Sequence, residues 1–423
     1  MIKKITLNNG LRVILSQNLG TKAVTVLTLV EAGSKYETKE INGLSHFLEH
    51  MCFKGTTKRP GTLQIAKELD GLGSAYNAFT SEEFTGYYAK VKSEYTSLAI
   101  EIISDLYLNP TFPEKEIEKE RGVIIEEINM YEDLPQRKVQ ELFTEVLYGD
   151  QPAGWGVSGK KEIIKKLNRD DFVNYRAKHY VPSATIVVVA GNFNEEPVVL
   201  DVKKYFESEP AGKKDGKLQV VEKQDAPQFK VQNKASDQTH LVIGVRAFSA
   251  KDDRRYALGV LSNILGGGMS SRLFERIREE LGAAYYVRSS TDLLTDHGVL
   301  SVSAGIDYNK LDQVMGAILE EFRRLKDELV DEEHLNRAKE HITGNMALSL
   351  ETSDDMAEFI GIQEILRKEV SDIDSIIEKF RSVTAEEIKR VAGNIFKNEN
   401  LNMAIIGPAD DSWNVKIKEK LMI

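Results

Sequence analysis

Two runs of alternating apolar and polar residues, Ile2 to Leu7 and Leu11 to Ser16, flank Asn9-Gly10. Alternation sends successive side chains to opposite faces of a strand, and Asn-Gly accepts the left-handed backbone of a two-residue turn, so a β-hairpin is predicted. A third strand is predicted at Val24 to Val30. From Gly43 to Lys54, and again from Thr62 to Leu72, the apolar spacing becomes helical. Strands follow at Ser74 to Ala78 and Phe84 to Val91, and then amphipathic helices run from Glu94 to Tyr148 with a break near Pro113. Ala184 to Gly191 closes this half as a strand. Strands, then helices, then a strand imply an α+β fold, a mainly antiparallel β-sheet with helices packed on one face.

The pattern then returns at an offset of 216 or 217 residues, which marks an internal repeat. LSHFLEH, Leu44 to His50, corresponds to LSNILGG, Leu261 to Gly267. The segment ending at Met130 corresponds to that ending at Met346, and IVVVAG ending at Gly191 to NMAIIG ending at Gly407. Between the halves the periodicity fails in a stretch rich in Lys, Asp, Gly and Pro. The expected organisation is an N-terminal domain over 1–208, a linker over 209–236 and a homologous C-terminal domain over 237–423. Where the first half has His46, Glu49, His50 and Glu127, the second has Asn263, Gly266, Gly267 and Thr343, so only the first can hold a metal.

Composition narrows the function classes. The 423 residues are 41% hydrophobic and 29% charged, near globular averages, so two or three folded domains are expected. A net charge of −10 disfavours a nucleic-acid surface, which needs clustered Lys and Arg. The apolar run at Ile186 to Ala190 is far short of the roughly 20 residues that cross a bilayer, and no signal peptide is visible, so a cytoplasmic protein with no membrane partner is expected. The single cysteine, Cys52, cannot form an intramolecular disulfide and is expected to be a buried structural thiol.

The chemistry sits in HFLEH. Residues four apart on a helix share a face, so His46 and His50 can direct two imidazole nitrogens at one point. Glu49 lies close enough to that face to reach a water on the same metal without ligating it, and is placed as a general base. A catalytic zinc takes three protein ligands and a water, whose pKa it lowers to about 7. The segment ERGVIIEE offers two carboxylates seven apart on one helix face: Glu127 can complete a His-His-Glu set, and Glu120 can accept the free ring N–H of a ligand histidine. Glu126 points elsewhere.

HFLEH, with a Glu 77 residues beyond its second His and a two-half chain behind it, resembles the M16 metallopeptidases, which include pitrilysin, insulin-degrading enzyme and the mitochondrial processing peptidase. The likeness covers nearly the whole chain and is to the short branch that works as a dimer. It implies one zinc per chain with Glu127 as third ligand, and Glu120 as the acid beside a ligand histidine. SAYNAFTSEEFTGYYAKV resembles the family's strand near the metal, which implies that Asn77 and Ala78 hold the substrate backbone. GGGMSSRLFERIREELGAAYYV is similar to the family's Gly-rich segment followed by an Arg and a Tyr, here Arg278 and Tyr285. Those two are implied to hydrogen-bond a substrate carbonyl and steady the oxyanion. The family often has Arg-Gly where this chain has Leu281-Gly282. In long family members two such chains are in effect fused, which implies that Arg278 and Tyr285 serve the metal of a partner chain. Gly266 to Gly268 are no phosphate loop, since no GK[ST] follows, and read as a turn.

The expectation is a zinc-dependent endopeptidase that hydrolyses unfolded peptides inside a homodimeric chamber. Two readings from other classes use the same fold, a catalytically silent scaffold or assembly subunit and a peptide-binding module. Metal analysis with cleavage of a quenched fluorescent peptide separates the three.

Overall fold

The computed structural model describes residues 2–409 and 412–423. Eleven strands form two sheets among the described residues. The first contains β1 (Ile2–Thr6), β2 (Arg12–Gln17), β3 (Ala23–Val30), β4 (Ala75–Thr80), β5 (Thr85–Lys92) and β6 (Thr185–Gly191), in the order β1-β2-β6-β3-β5-β4. The second contains β7 (Gln228–Asn233), β8 (Thr239–Ala247), β9 (Ala284–Leu293), β10 (Gly298–Ile306) and β11 (Leu401–Gly407), in the order β7-β11-β8-β10-β9. Each sheet has one parallel pair, β2 with β6 and β7 with β11, and is otherwise antiparallel. Strand for strand the second order reproduces the first from β2 onward, so the sequence repeat is a repeat of topology.

The compact units do not follow the contiguous division at 208 and 237. One unit comprises 1–128, 155–218 and 348–370, and the other 129–154, 219–347 and 371–423. The halves exchange a helix. Pro135–Tyr148, from the first repeat, packs on β7, β8 and β11, while its counterpart Ser353–Arg367 packs on β2, β3 and β6. The segment expected as linker is irregular except for β7, which lies within it.

The exchange explains the apolar runs. All seven residues of β6 are buried, and so are all seven of β11. A strand covered on one face alternates, whereas one covered on both reads as a continuous apolar run. In the first unit Val13, Leu15, Val187 and Val189 face the main core with the helix Leu44–Cys52. Ile14, Leu27, Leu29, Ile186 and Val188 face the other way, onto Ala357 and Ile360 of the exchanged helix. Gly361 lets that helix approach, because a Cβ there would lie 2.3 Å from Leu29 Cδ1. Buried charges secure it further: Arg12 donates to Glu364 at 2.9 Å and to Glu31 at 2.7 Å, and Lys4 pairs with Glu364 at 2.7 Å. No helix among the described residues is long and apolar enough to cross a membrane.

Candidate metal centre

The helix Leu44–Cys52 is amphipathic by sequence, with Leu44, Phe47, Leu48, Met51 and Cys52 buried on one side. The remaining stripe carries His46, Glu49 and His50. Two features fix its start. Gly43 takes φ +97°, and a Cβ there would lie 2.7 Å from the Ser158 carbonyl, so only glycine fits. The buried Glu37 carboxyl accepts from the N–H groups of Gly43 at 2.8 Å and Ser45 at 2.6 Å, and from the Asn42 amide at 3.0 Å. It thereby satisfies donors that the first helical turn leaves open. Burial pushes the Glu37 carboxyl up to about 7, against the pull of these donors. The ring of Phe47 meets Phe172 edge-on at 5.0 Å and locks the helix against the main core.

Glu127 comes from the long helix Glu114–Asp133. Ligand atoms of His46, His50 and Glu127 all lie within 4.8 Å of one another. Glu127 Oε2 is 3.6 Å from His46 Nε2 and 3.8 Å from His50 Nε2. Ligands at about 2.0–2.1 Å around a tetrahedral zinc stand about 3.3 Å apart, so the two histidine–carboxylate distances fit that ion after a slight contraction. His50 Nδ1 lies 2.9 Å from Glu120 Oε1, leaving Nε2 toward Glu127. Lys54 Nζ sits 2.7 Å from the other Glu120 oxygen. Burial alone would raise the Glu120 carboxyl, but the hydrogen bonds from His50 and Lys54 hold it below its ordinary range. Glu126 is exposed and outside the cluster.

Glu49 accepts a hydrogen bond from Thr80 Oγ1 at 2.5 Å. Burial raises its carboxyl above the ordinary range, partly countered by Thr80 and His50, and Glu127 raises it further. A proton acceptor beside a cation site is served by such a rise, because basicity grows with pKa. Thr80 ends β4, the edge strand that also carries Asn77 and Ala78. Asn77 sits mid-strand and exposed opposite Tyr88, with its side-chain oxygen accepting from Ala78 N at 2.9 Å. Among the described residues no strand pairs with the far side of β4.

In the other unit Arg278 lies in a π-helical turn, Phe274–Glu280, and its guanidinium donates to the Tyr285 carbonyl at 2.5 Å. Tyr285 is the second residue of the edge strand β9 and is 63% exposed. Gly266 ends the helix Arg255–Gly266 and Gly267 caps it. Cys52 is buried 3.4 Å from the Tyr87 hydroxyl, and burial pushes its thiol up to about 12, which suits an inert core residue.

Three neighbours of the site escaped the sequence reading. Lys54 stands four residues after His50, and Thr80 two after Ala78, so helical and strand periodicity respectively would have found them. Glu37 carries no such signal, since a loop joins it to the helix it caps.

Known proteins resemble this chain over nearly its whole length. The family model described as "Insulinase (Peptidase family M16)" matches residues 12–160, and that described as "Peptidase M16 inactive domain" matches 166–342. The chain is 37% identical to the uncharacterized zinc protease YmxG of Bacillus subtilis, over 97% of this chain and 99% of that protein. It is 32% identical to an uncharacterized zinc protease of Streptomyces coelicolor, over 97% and 90%. The crystal structure of a protease from Helicobacter pylori superposes with a TM-score of 0.89 at 24% identity, covering 96% of this chain and 99% of that one. With relatives of this identity matched almost end to end, and with family models of both halves placed along it, the chain belongs to the M16 family of zinc peptidases.

Proposed function

We propose that the chain is a zinc-dependent endopeptidase in which His46, His50 and Glu127 hold one zinc and Glu49 is the general base. The observation that carries this reading is the gathering within 4.8 Å of the Glu127 carboxylate and the two imidazoles of the helical stripe that also bears Glu49. Zinc in such a site lowers the pKa of a water to about 7 and polarises the scissile carbonyl. Glu49 takes the proton of the attacking water and returns it to the leaving amine, while Thr80 fixes the orientation of its carboxylate. Glu120 holds His50 in the tautomer that offers Nε2. An extended, unfolded peptide joins the free edge of β4 at Asn77 and Ala78 by main-chain hydrogen bonds that ignore side-chain identity.

Arg278 and Tyr285 of a second copy complete the site in a homodimer, binding the substrate carbonyl and the developing oxyanion. The test is zinc content per chain together with cleavage of a quenched peptide by the parent and by Glu49→Gln. Zinc near one per chain with cleavage only in the parent is expected, whereas a zinc-free, inactive parent supports a silent scaffold. A mixture of Glu49→Gln and Arg278→Ala chains, each inactive alone, should regain activity. If subunits exchange and activity stays at background, Arg278 does not act across the dimer.

A further inference from the structure

Behind the metal helix, and within the same unit, a half-open cleft of about 670 Å³ is enclosed by the loop 35–41, Trp155, the helix Arg169–His179 and residues 215–218. That volume falls among small-ligand sites, which run from about 300 to 1,000 Å³. Its wall is aromatic. The His179 ring lies 4.4 Å from Tyr175 and 5.6 Å from Tyr36, with Trp155 on the same lining. His179 is only 5% exposed, its Nδ1 makes no hydrogen bond, and burial keeps the imidazole neutral. Beside the wall the Lys214 ammonium, ion-paired with Glu31, stands 5.2 Å from the Tyr36 ring centroid.

Lysines and acids from the loops 35–41 and 215–218 line the cleft as well, but the polar groups of its helix are ordered. Asp171, Asn174, Tyr175 and Lys178 line the cleft from one helix at positions i, i+3, i+4 and i+7, a single stripe. Seven residues of helix rise about 10.5 Å. An acid and an amine thus stand at the two ends of the stripe, with an amide and an aromatic ring between them. One Asp171 oxygen accepts from the Asn168 N–H at 2.8 Å, which fixes that carboxylate in place. Three residues of extended peptide span about 10 Å, at about 3.3 Å each. A zwitterionic peptide of that length carries opposite charges at the same separation.

We propose that this cleft binds a short zwitterionic peptide of about three residues with an aromatic or large apolar side chain. Its α-ammonium lies at Asp171, its α-carboxylate at Lys178, its central amide at Asn174 and its side chain against Tyr36, Tyr175 and Trp155. The ligand sits against groups that position the metal helix: the Tyr175 hydroxyl is 2.8 Å from Ser45 Oγ, and Glu37, on the same lining, caps Gly43 and Ser45. Binding here does not depend on the peptidase reading, and its test reads a different residue.

Trp155 and Trp413 are the two tryptophans, so Trp413→Phe leaves Trp155 as sole reporter. Full-length, zinc-loaded protein carrying Glu49→Gln and Trp413→Phe is titrated with Ala-Phe-Ala, and bound peptide is measured by equilibrium dialysis on Glu49→Gln alone. Saturable change in Trp155 emission is expected. Its half-saturation should rise about tenfold or more with Lys178→Glu, and equally when both peptide ends are blocked. The proposal is overturned if neither method detects saturable binding up to about 10 mM, a range in which millimolar affinity still saturates. It is equally overturned if Lys178→Glu, folded by circular dichroism, and the blocked peptide both bind as tightly as their parents.

Discussion

The helices Leu44–Cys52 and Arg255–Gly266 occupy the same place in two sheets of the same strand order, yet they differ where the first carries its chemistry. In the first, two imidazoles and a carboxylate converge with Glu120 and Lys54 behind them. In the second, Asn263 stands at the position of His46, and its side-chain nitrogen lies 2.8 Å from His341 Nδ1. Asn345 contacts the other nitrogen of that ring at 3.2 Å. Thr343, at the position of Glu127, turns its hydroxyl back to the Lys339 carbonyl at 2.9 Å. The space that Asn263 and His341 line with Gly268, Ser271 and Arg337 is only about 20 Å³, scarcely more than one water needs. One scaffold thus supports two solutions. Acids and imidazoles crowded together suit a cation, whereas the amide, imidazole and hydroxyl groups of the second site hydrogen-bond one another or the backbone.

The largest effect should come from making the first site resemble the second. Glu127→Thr should remove zinc and, with it, all measurable peptide cleavage, since a catalytic zinc needs its third protein ligand. Metal analysis of the purified variant decides this. Zinc held at parental occupancy would transfer the ligand role to Glu120 or Glu126. Glu49→Gln should rank next, keeping zinc and lowering kcat by about 10²–10⁴. Activity within about tenfold of the parent would remove Glu49 from the base role.

Periodicity and spacing read most of this architecture in advance, and the reasons for the shortfalls are local. The opening hairpin, the metal helix and β4 to β6 fall within a residue or two of expectation, because each has its own alternation or 3.6-residue stripe. The exchange of Pro135–Tyr148 for Ser353–Arg367 was invisible, since an amphipathic stripe does not say which sheet it covers. Its trace was the unbroken apolar run of β6, which requires cover on both faces. The helix break at Leu134 was missed although Pro135 provides it, a proline at the first helical position being a start signal. In the site, the convergence of His46 with His50 follows from helical spacing alone. The contribution of Glu127 needed tertiary contact, and Glu37 lies across a loop that no periodicity bridges.

A smaller effect should separate the two halves through Lys54. Its ammonium keeps the Glu120 carboxylate charged and turned toward His50. Groups that orient a ligand histidine typically contribute about 10–100-fold to metal affinity. Lys54→Met, which keeps the aliphatic stem, should therefore weaken zinc binding by about tenfold in competition with a chromophoric chelator, leaving the saturated kcat nearly unchanged. An unaltered zinc affinity would show that Glu120 holds His50 without help.

The smallest effect concerns how the two helices begin. Arg255–Gly266 follows Asp252, which accepts from the Arg254 N–H at 2.9 Å, and this hydrogen-bonded Arg254 holds the Asp252 carboxyl below its ordinary range. Glu37 is the reverse, a carboxyl buried at the head of the metal helix and raised from 4.5 to about 7. A group whose folded pKa exceeds its unfolded one binds a proton in the folded state that the unfolded chain has released. Stability from Glu37 is therefore full below pH 4.5 and is lost as pH rises through about 7. Gln, which resembles the protonated acid at every pH, removes that dependence. Relative to the parent, Glu37→Gln should gain on the order of 3 kcal/mol in urea unfolding between pH 4.5 and pH 8. At the lower pH the two should be nearly equal. A difference that stays flat across this range would mean that the three N–H donors outweigh burial, and that Glu37 is as fully ionised at the head of its helix as Asp252 is beside its own.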